Sequence, residues 1–303
     1  MALIKQDIET LLNLKLVEAD AIRERKFHVC VDAVNSDDCI VLAELFRALN
    51  VDYLMLQNDK YGILNRTKKD GFDLGLVVDT QTCSLSIICE DGTMFGQDYT
   101  LVAVADYVLG RTPGHTVSSI NCTRALHDIT LKHGGCHYTS AVGQTSVVEK
   151  IKEVGAVIGG EDNGGIIYPE YSYESSVLVG IVLFLSSLAQ QQCTVSQLRS
   201  TLPNYHIVKN HIDLAPSIDV ESVLKRVENR FVHDDSAQIS DVDGLKIDFP
   251  DRWVYLHKAT ATSAISVYSE AKSFENADNL ANQLLLFIYN LQKDILLIRK
   301  IHI

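Results

Sequence analysis

Apolar positions along the chain fall into successive blocks with helical or strand spacing. Residues 3–26 carry leucine and isoleucine on one face and charges on the other, which predicts a lead-in helix. In residues 26–111 short apolar runs then alternate with periodic helices, which predicts a mostly parallel sheet covered on both faces. The elements predicted in this block are strands at 27–34, 51–56, 74–78 and 85–89 and helices at 40–50 and 99–109.

The same alternation restarts after the turn Pro113-Gly114, which marks a domain boundary. Its long apolar helix at 176–191 is shorter than the roughly 20 residues that span a bilayer, so we interpret it as a buried helix. After Pro203, strands joined by tight turns precede a final helix from Phe274, which predicts an antiparallel α+β domain. The predicted organisation is a lead-in (1–25), two tandem α/β/α domains (26–111 and 112–202) and a smaller α+β domain with an antiparallel sheet (203–303).

Composition narrows the class of protein. The 303 residues include 39 acidic and 27 basic side chains, a formal net charge of -12, so no basic field is available to attract nucleic acid. No apolar run is long enough for a membrane span, and the charged amino terminus lacks the apolar core of a signal peptide. We therefore expect a cytoplasmic protein without nucleic-acid or membrane partners. The seven cysteines form no CxxC pair and are interpreted as reduced thiols.

Separated motifs then carry a resemblance to a known family. They read CVDAVN at 30–35, GLVVD at 75–79, CEDGTMFGQDYTLVAVADYVL at 89–109, VGAVIGGEDNGGIIYPE at 154–170 and VDGLKIDFPDRWVYLHKATATSAISVYSEAK at 242–272. In this order the chain resembles the α-D-phosphohexomutases, which include phosphoglucomutases, phosphomannomutases and phosphoglucosamine mutases. The resemblance runs from about residue 26 to about residue 280 and begins where the second of the family's four domains should begin.

The resemblance implies a reaction that moves a phosphoryl group between positions 1 and 6 of a hexose. The family uses a phosphoserine in its first domain, a magnesium ion in its second, a sugar loop in its third and a phosphate loop in its fourth. Nothing in the first 26 residues matches the serine loop. We therefore expect this polypeptide to lack the phosphoryl carrier.

The metal loop departs from the family pattern of three aspartates followed by an arginine. Here residues 79–84 read DTQTCS, so only Asp79 matches, while Gln81, Cys83 and Ser84 replace the other positions. A hard dication prefers several carboxylate oxygens, and an amide and a thiol are poor substitutes. We expect no cofactor and at most a weak, degenerate metal site at Asp79; the alternative is an ordinary turn.

The fourth-domain phosphate loop is also degenerate. The family places arginines where His257 and Ser266 stand here, and Ala259 and Ala261 lack the expected hydroxyls. A plain hairpin is one interpretation of this segment. A weak phosphate site is the other, with five residues that could still contact an anion: His257, Lys258, Thr260, Thr262 and Ser263.

The third-domain sugar loop matches the family best. Residues 159–165 read GGEDNGG. The resemblance implies that Glu161 and Asn163 accept hydrogen bonds from sugar hydroxyls. Gly160 and Gly164 would let the backbone approach a sugar ring. The alternative is a solvated turn between two strands, which accommodates the same glycines.

Two functions remain open at this stage. The favoured one is a catalytically inactive phosphohexomutase relative that binds a hexose phosphate or a protein partner. The alternative is an active intramolecular phosphotransferase whose serine domain is supplied by another chain. The apolar tail also suggests a homodimer, or a heterodimer with a full-length mutase relative, unless it packs on its own domain; its apolar residues are Leu284, Leu285, Ile288, Leu291, Ile295 and Leu296.

Overall fold

The computed structural model describes residues 2–59, 62–259 and 263–301, and its contacts group into two compact units. Unit 1 comprises residues 1–139 and 143–203, and unit 2 comprises residues 140–142 and 204–303. Unit 1 holds two separate sheets, while unit 2 holds one. The boundary at residues 111 and 112 within unit 1 stays a prediction.

The elements up to residue 203 alternate between helices and strands, as the hydrophobic pattern predicted. The helices are α1 (Ala2–Leu12), α2 (Ala19–Arg25), α3 (Ser36–Ala48), α4 (Gly62–Lys69), α5 (Gln97–Leu109), α6 (Ala125–Lys132), α7 (Gln144–Val154), α8 (Val177–Gln191) and α9 (Val195–Thr201). The strands are β1 (His28–Ala33), β2 (Asp52–Gln57), β3 (Leu74–Asp79), β4 (Ser84–Cys89), β5 (Thr116–Ser119), β6 (His137–Ser140), β7 (Ile158–Gly160), β8 (Ile166–Tyr168) and β9 (Ser172–Ser176).

The first sheet has the strand order β2-β1-β3-β4. Strands β2, β1 and β3 are parallel, and β4 returns antiparallel to β3. The central strand β1 is buried over Val29, Cys30 and Val31, because helices cover both faces of a parallel sheet. The prediction of a mostly parallel α/β sheet is confirmed.

The lead-in was predicted as one helix over 3–26, which is wrong. Two helices, α1 and α2, are separated by residues 13–18. In this break the carbonyl of Leu16 accepts a hydrogen bond from the Tyr107 hydroxyl at 2.8 Å. The Glu18 amide donates to the Ser186 hydroxyl at 3.0 Å. Partners about 90 and 170 residues away replace the missing intrahelical bonds. The hydrophobic pattern of residues 3–26 alone cannot predict such distant partners.

The second sheet has the order β6-β5-β7-β8-β9. Strands β5 and β7 are parallel, whereas β7, β8 and β9 are antiparallel. Helix α8 begins at the cap Ser176, whose hydroxyl accepts from the Val179 amide, and most of its side chains are buried as predicted. Among the described residues no single helix is long and apolar enough to cross a bilayer; α8 and α9 reach that length only together and are bent by 88°.

Unit 2 is the predicted antiparallel α+β domain. Its elements are β10 (His206–Asp213), α10 (Val220–Phe231), β11 (Gln238–Ser240), β12 (Leu245–Asp248), β13 (Arg252–Lys258), β14 (Ala264–Ala271) and α11 (Phe274–Ile301), and the sheet order is β10-β14-β13-β12-β11. All neighbouring strands are antiparallel.

The carboxyl-terminal helix α11 contributes to the core of its own unit. Leu284 and Ile288 are buried together with Val223 and Val267, and Leu285 and Ile295 pack against the same cluster. These side chains therefore support the alternative that the tail packs on its own domain. The side chain of Leu296 lies outside the described residues, and a dimer stays a prediction.

The seven thiols form no disulfide, and their environments predict an order of reactivity. Burial raises the pKa of Cys30 and Cys89 to about 11 and raises that of Cys122 well above its usual value. Cys136 is exposed. We expect a maleimide at neutral pH to modify Cys136 first and these three buried thiols only after denaturation, as read by timed quenching and peptide mass spectrometry.

The Cys136→Ser variant is the control, because it should remove the fast phase and leave the slow ones unchanged. Labelling of Cys122 as fast as Cys136 in the native protein would contradict the burial of Cys122.

Candidate functional site

Residues 79–84 form a self-contained turn between β3 and β4, which we call the metal-loop turn. Asp79 Oδ1 accepts hydrogen bonds from the amides of Gln81 at 3.0 Å and Thr82 at 3.3 Å. Its Oδ2 accepts from the Thr82 hydroxyl at 2.8 Å. Both carboxylate oxygens of Asp79 therefore serve to shape the turn in which the residue lies.

A second carboxylate holds this turn to α3. Asp38 is fully buried, and its Oδ2 accepts from the Asn35 side-chain amide at 2.8 Å and from the Thr80 amide at 3.3 Å. Its Oδ1 accepts from the Thr80 hydroxyl. Sequence analysis missed Asp38 as a site residue. The only signal was the polar run NSDD after β1, which also contains the helix cap Asn35.

Cys83 occupies a strained position in the metal-loop turn. Its φ is 51°, and its Sγ donates to the Ser175 carbonyl at 3.3 Å. Burial raises the pKa of the Cys83 thiol, and the carboxylates of Asp79 and Glu161 raise it further. The thiol is therefore protonated at neutral pH, whereas a metal ligand must be a thiolate.

These donors do not fit a magnesium ion. Over the described residues no group of three or more histidine, cysteine, aspartate or glutamate side chains is placed to hold a metal. In the turn itself the Asp79 oxygens are occupied, Gln81 is exposed and neutral, and Cys83 is soft and protonated. We derive no metal-dependent step from this site.

The sugar loop lies directly against the metal-loop turn. The Asn163 carbonyl accepts from the Leu85 amide at 2.9 Å, and its side-chain Nδ2 donates to the Thr82 carbonyl at 3.4 Å. Asn163 Oδ1 accepts from the Gly165 amide at 3.0 Å. The side chain of Asn163 thus orders the loop and attaches it to the neighbouring turn.

Gly164 is the point of closest approach between the two loops. Its φ is +84°, and a Cβ built there would lie 2.2 Å from the Leu85 carbonyl oxygen. Gly160 is similarly confined, because its Cβ would lie 2.6 Å from the Gly165 carbonyl oxygen. Both glycines are required by the contact between backbone segments.

The carboxylate of Glu161 in the sugar loop is held by a backbone hydrogen bond. Its Oε1 accepts from the Gly143 amide at 2.7 Å, at the amino terminus of α7. The positive end of the helix dipole favours a carboxylate at this point. Glu161 is partly exposed, so a carboxylate held at a fixed position faces the solvent side of the loop.

The predicted phosphate loop belongs to unit 2. The described part is a hairpin, in which the Ala259 amide donates to the Ala264 carbonyl at 2.9 Å. His257 stacks on Tyr255 with ring centroids 5.0 Å apart, and Lys258 and Ser263 are exposed. Thr260 and Thr262 lie outside the described residues. Of the predicted loops, those at Asp79 and Glu161 are brought together in unit 1.

The fold is similar to that of solved structures in the phosphoglucomutase/phosphomannomutase family. The structure superposes on the X-ray structure of a phosphoglucomutase/phosphomannomutase family protein from Burkholderia thailandensis with a TM-score of 0.76 and 20% identity. The match covers 91% of this chain and 64% of that one. At that identity the likeness concerns the fold.

Sequence comparisons point to the same group of proteins. Residues 96–205 match the model of phosphoglucomutase/phosphomannomutase, alpha/beta/alpha domain III. A phosphoglucomutase/phosphomannomutase from Thermococcus kodakarensis is 28% identical over 294 residues, and a phosphoglucosamine/phosphogalactosamine mutase from Sulfurisphaera tokodaii is 24% identical over 298. Each match covers 91% of this chain, which spans 63% and 65% of the two relatives. Over most of its length the chain is therefore similar to α-D-phosphohexomutases.

The contact at Gly164 predicts a large effect of a single methyl group. Gly164→Ala should destabilise the protein by about 2 kcal/mol or more beyond the cost of positive φ alone, because the methyl collides with a backbone carbonyl. Gly71→Ala is the matched control, since Gly71 has φ +74° and nothing within 4 Å of its Cβ position. Urea denaturation of both variants checks this, and equal losses would contradict the close approach.

The poor donor set predicts no stabilisation by magnesium. Millimolar Mg²⁺ should leave the thermal midpoint unchanged, because an ion that does not bind the native state cannot shift its unfolding. Differential scanning calorimetry with calcium and sodium chloride controls measures this. A saturable rise with Mg²⁺ that disappears in Asp79→Asn would show that Asp79 binds the ion after all.

Proposed function

We propose that this chain is a phosphohexomutase relative that binds a hexose phosphate without converting it. The observation that carries the proposal is Asp79, whose two oxygens are both occupied within the metal-loop turn. Phosphoryl transfer depends on neutralising the charge of the moving group, and the resemblance implies that a magnesium ion contributes to that neutralisation. A cytoplasmic location is part of the proposal.

The positions at which the family carries arginines support the same conclusion. Ser84, His257 and Ser266 stand where the resemblance expects arginines, whose planar guanidinium groups bind phosphate through two hydrogen bonds. Ser84 and Ser266 carry no charge, and His257 is packed against Tyr255 and Tyr268. A serine domain donated by another chain would restore the nucleophile but none of these charges. The inactive alternative is therefore favoured over an active complex.

Sugar binding is supported by the geometry of the sugar loop. The Gly143 amide donates a hydrogen bond that fixes Glu161 Oε1. Gly160 and Gly164 have no side chains to cover the loop backbone. A carboxylate accepts hydrogen bonds from vicinal hydroxyls strongly because the bonds are charge-assisted. The relatives named above act on phosphorylated glucose, mannose and amino sugars according to their names, so a hexose phosphate is the ligand class we infer.

Calorimetry with glucose 1-phosphate and mannose 1-phosphate tests the binding. At least one should bind, and Glu161→Gln should weaken that binding about tenfold, equivalent to about 1.4 kcal/mol, because glutamine keeps the bond to Gly143 but loses the charge. Glu153→Gln is the control, since Glu153 is a mostly exposed residue of α7 paired with Lys150. Equal affinities of the two variants, or no binding to the wild type, would contradict the role of Glu161.

A coupled mutase assay tests the absence of turnover. With magnesium and a hexose bisphosphate activator, the purified chain should show no conversion above a mock purification from the same host. Conversion that copurifies with the chain and is reduced in Glu161→Gln would establish an active enzyme.

A further inference from the structure

A cavity of about 290 Å³ lies in unit 1 beside the metal-loop turn. Val77 on β3 and Ser86 on β4 line it from the sheet, Leu64 lines it from α4, and Gln97 lines it from the start of α5. Small-molecule pockets begin at about 300 Å³, so the cavity has the size for a ligand smaller than a typical drug. The sugar-loop residues 159–165 do not line it.

The polar groups that line the cavity are almost all neutral. Ser84, Ser86 and Thr82 provide hydroxyls, and the Gln97 side-chain amide donates to Ser84 Oγ at 3.2 Å. Asp79 also lines the cavity, but its oxygens are engaged with the metal-loop turn. Among the described lining residues there is no lysine, arginine or histidine. A phosphate in this cavity would have no positive side chain to pair with, whereas an uncharged ligand does not need one.

A buried carboxyl next to the cavity needs hydrogen-bond donors. Asp32 is paired with Val77 in the first sheet, and Val77 is paired with Ser86, so the three side chains share one row on the same face. Asp32 is 0% exposed, and neither of its oxygens has a hydrogen-bond partner within the described part of the chain. Buried polar atoms rarely lack partners, and because Asp32 does not itself line the cavity, it marks a polar environment behind Val77 and Ser86 and not a direct ligand contact.

The rest of the lining is apolar. Val34, Val77, Leu64 and Ile88 form a hydrophobic wall, and Met94 is half exposed. A monosaccharide or cyclic polyol carries C–H groups on one face and hydroxyls around its rim. Its hydroxyls both donate and accept, which matches the serine and threonine hydroxyls and the glutamine amide of the lining.

We propose that this cavity binds a neutral polyhydroxylated molecule of monosaccharide size. The site is distinct from the hexose-phosphate site proposed at Glu161, because it needs neither that carboxylate nor a phosphate. One chain would thus recognise an unphosphorylated sugar or polyol at the sheet and a phosphorylated one at the sugar loop.

The experiment measures binding of D-glucose, N-acetyl-D-glucosamine and myo-inositol to the full chain by saturation-transfer NMR and calorimetry. At least one probe should bind saturably. Ser86→Phe, which fills the cavity from its floor, should weaken that binding at least tenfold. Met94→Trp should do the same from a half-exposed position, where a larger side chain need not disturb the core. Near-ultraviolet circular dichroism verifies that each variant is folded.

Glu161→Gln separates this proposal from the proposed function, because it should leave binding of the neutral probe unchanged while weakening that of hexose phosphate. Absence of saturable binding by all three probes would overturn the proposal. So would neutral-probe binding that survives Met94→Trp in the folded protein, or that is lost in Glu161→Gln, since the probe would then occupy another site.

Discussion

The hydrogen bond from the Leu85 amide to the Asn163 carbonyl joins the two loops on which the candidate site depends. It connects the first residues of β4 with the hairpin between β7 and β8, which belong to different sheets. Gly164 makes the contact possible, because any Cβ at that position would meet the Leu85 carbonyl. The geometry of the sugar loop is therefore set partly by the strand that follows the metal-loop turn, and the two loops form one structural unit.

The polar groups of the metal-loop turn bond mainly to the turn itself. A hard dication needs several converging oxygen ligands, and a single aspartate at the end of a strand supplies too few. Asp79 instead accepts two amides and a hydroxyl from the next three residues, and Asp38 anchors the adjacent Thr80 from the other side. The donors of the turn neutralise part of this carboxylate charge.

Periodicity predicted the elements whose packing follows from their own sequence. The buried strand β1, the apolar helix α8 and the strands β12, β13 and β14 show regular apolar patterns, and each was predicted. Helix α4 was missed, because its eight residues are mostly polar and only Ile63 and Thr67 are buried. The break between α1 and α2 and the contact of Asp38 with Thr80 depend on partners far away in sequence. Motif matching located Glu161 and Asn163, but the partners of each side chain required the three-dimensional fold.

The two ligand sites proposed in unit 1 differ in the charged groups that they present. The sugar loop presents a carboxylate held by the amino terminus of α7, and the cavity beside the metal-loop turn presents hydroxyls, an amide and the Asp79 carboxylate. Both sets favour ligand hydroxyl groups, which donate to carboxylates, over phosphate oxygens, which do not. With a net charge of -12 on the chain, a phosphate gains affinity only from a local cation. Within unit 1, therefore, the two proposed sites would recognise sugar hydroxyls, and recognition of the phosphate would require a positive group outside them.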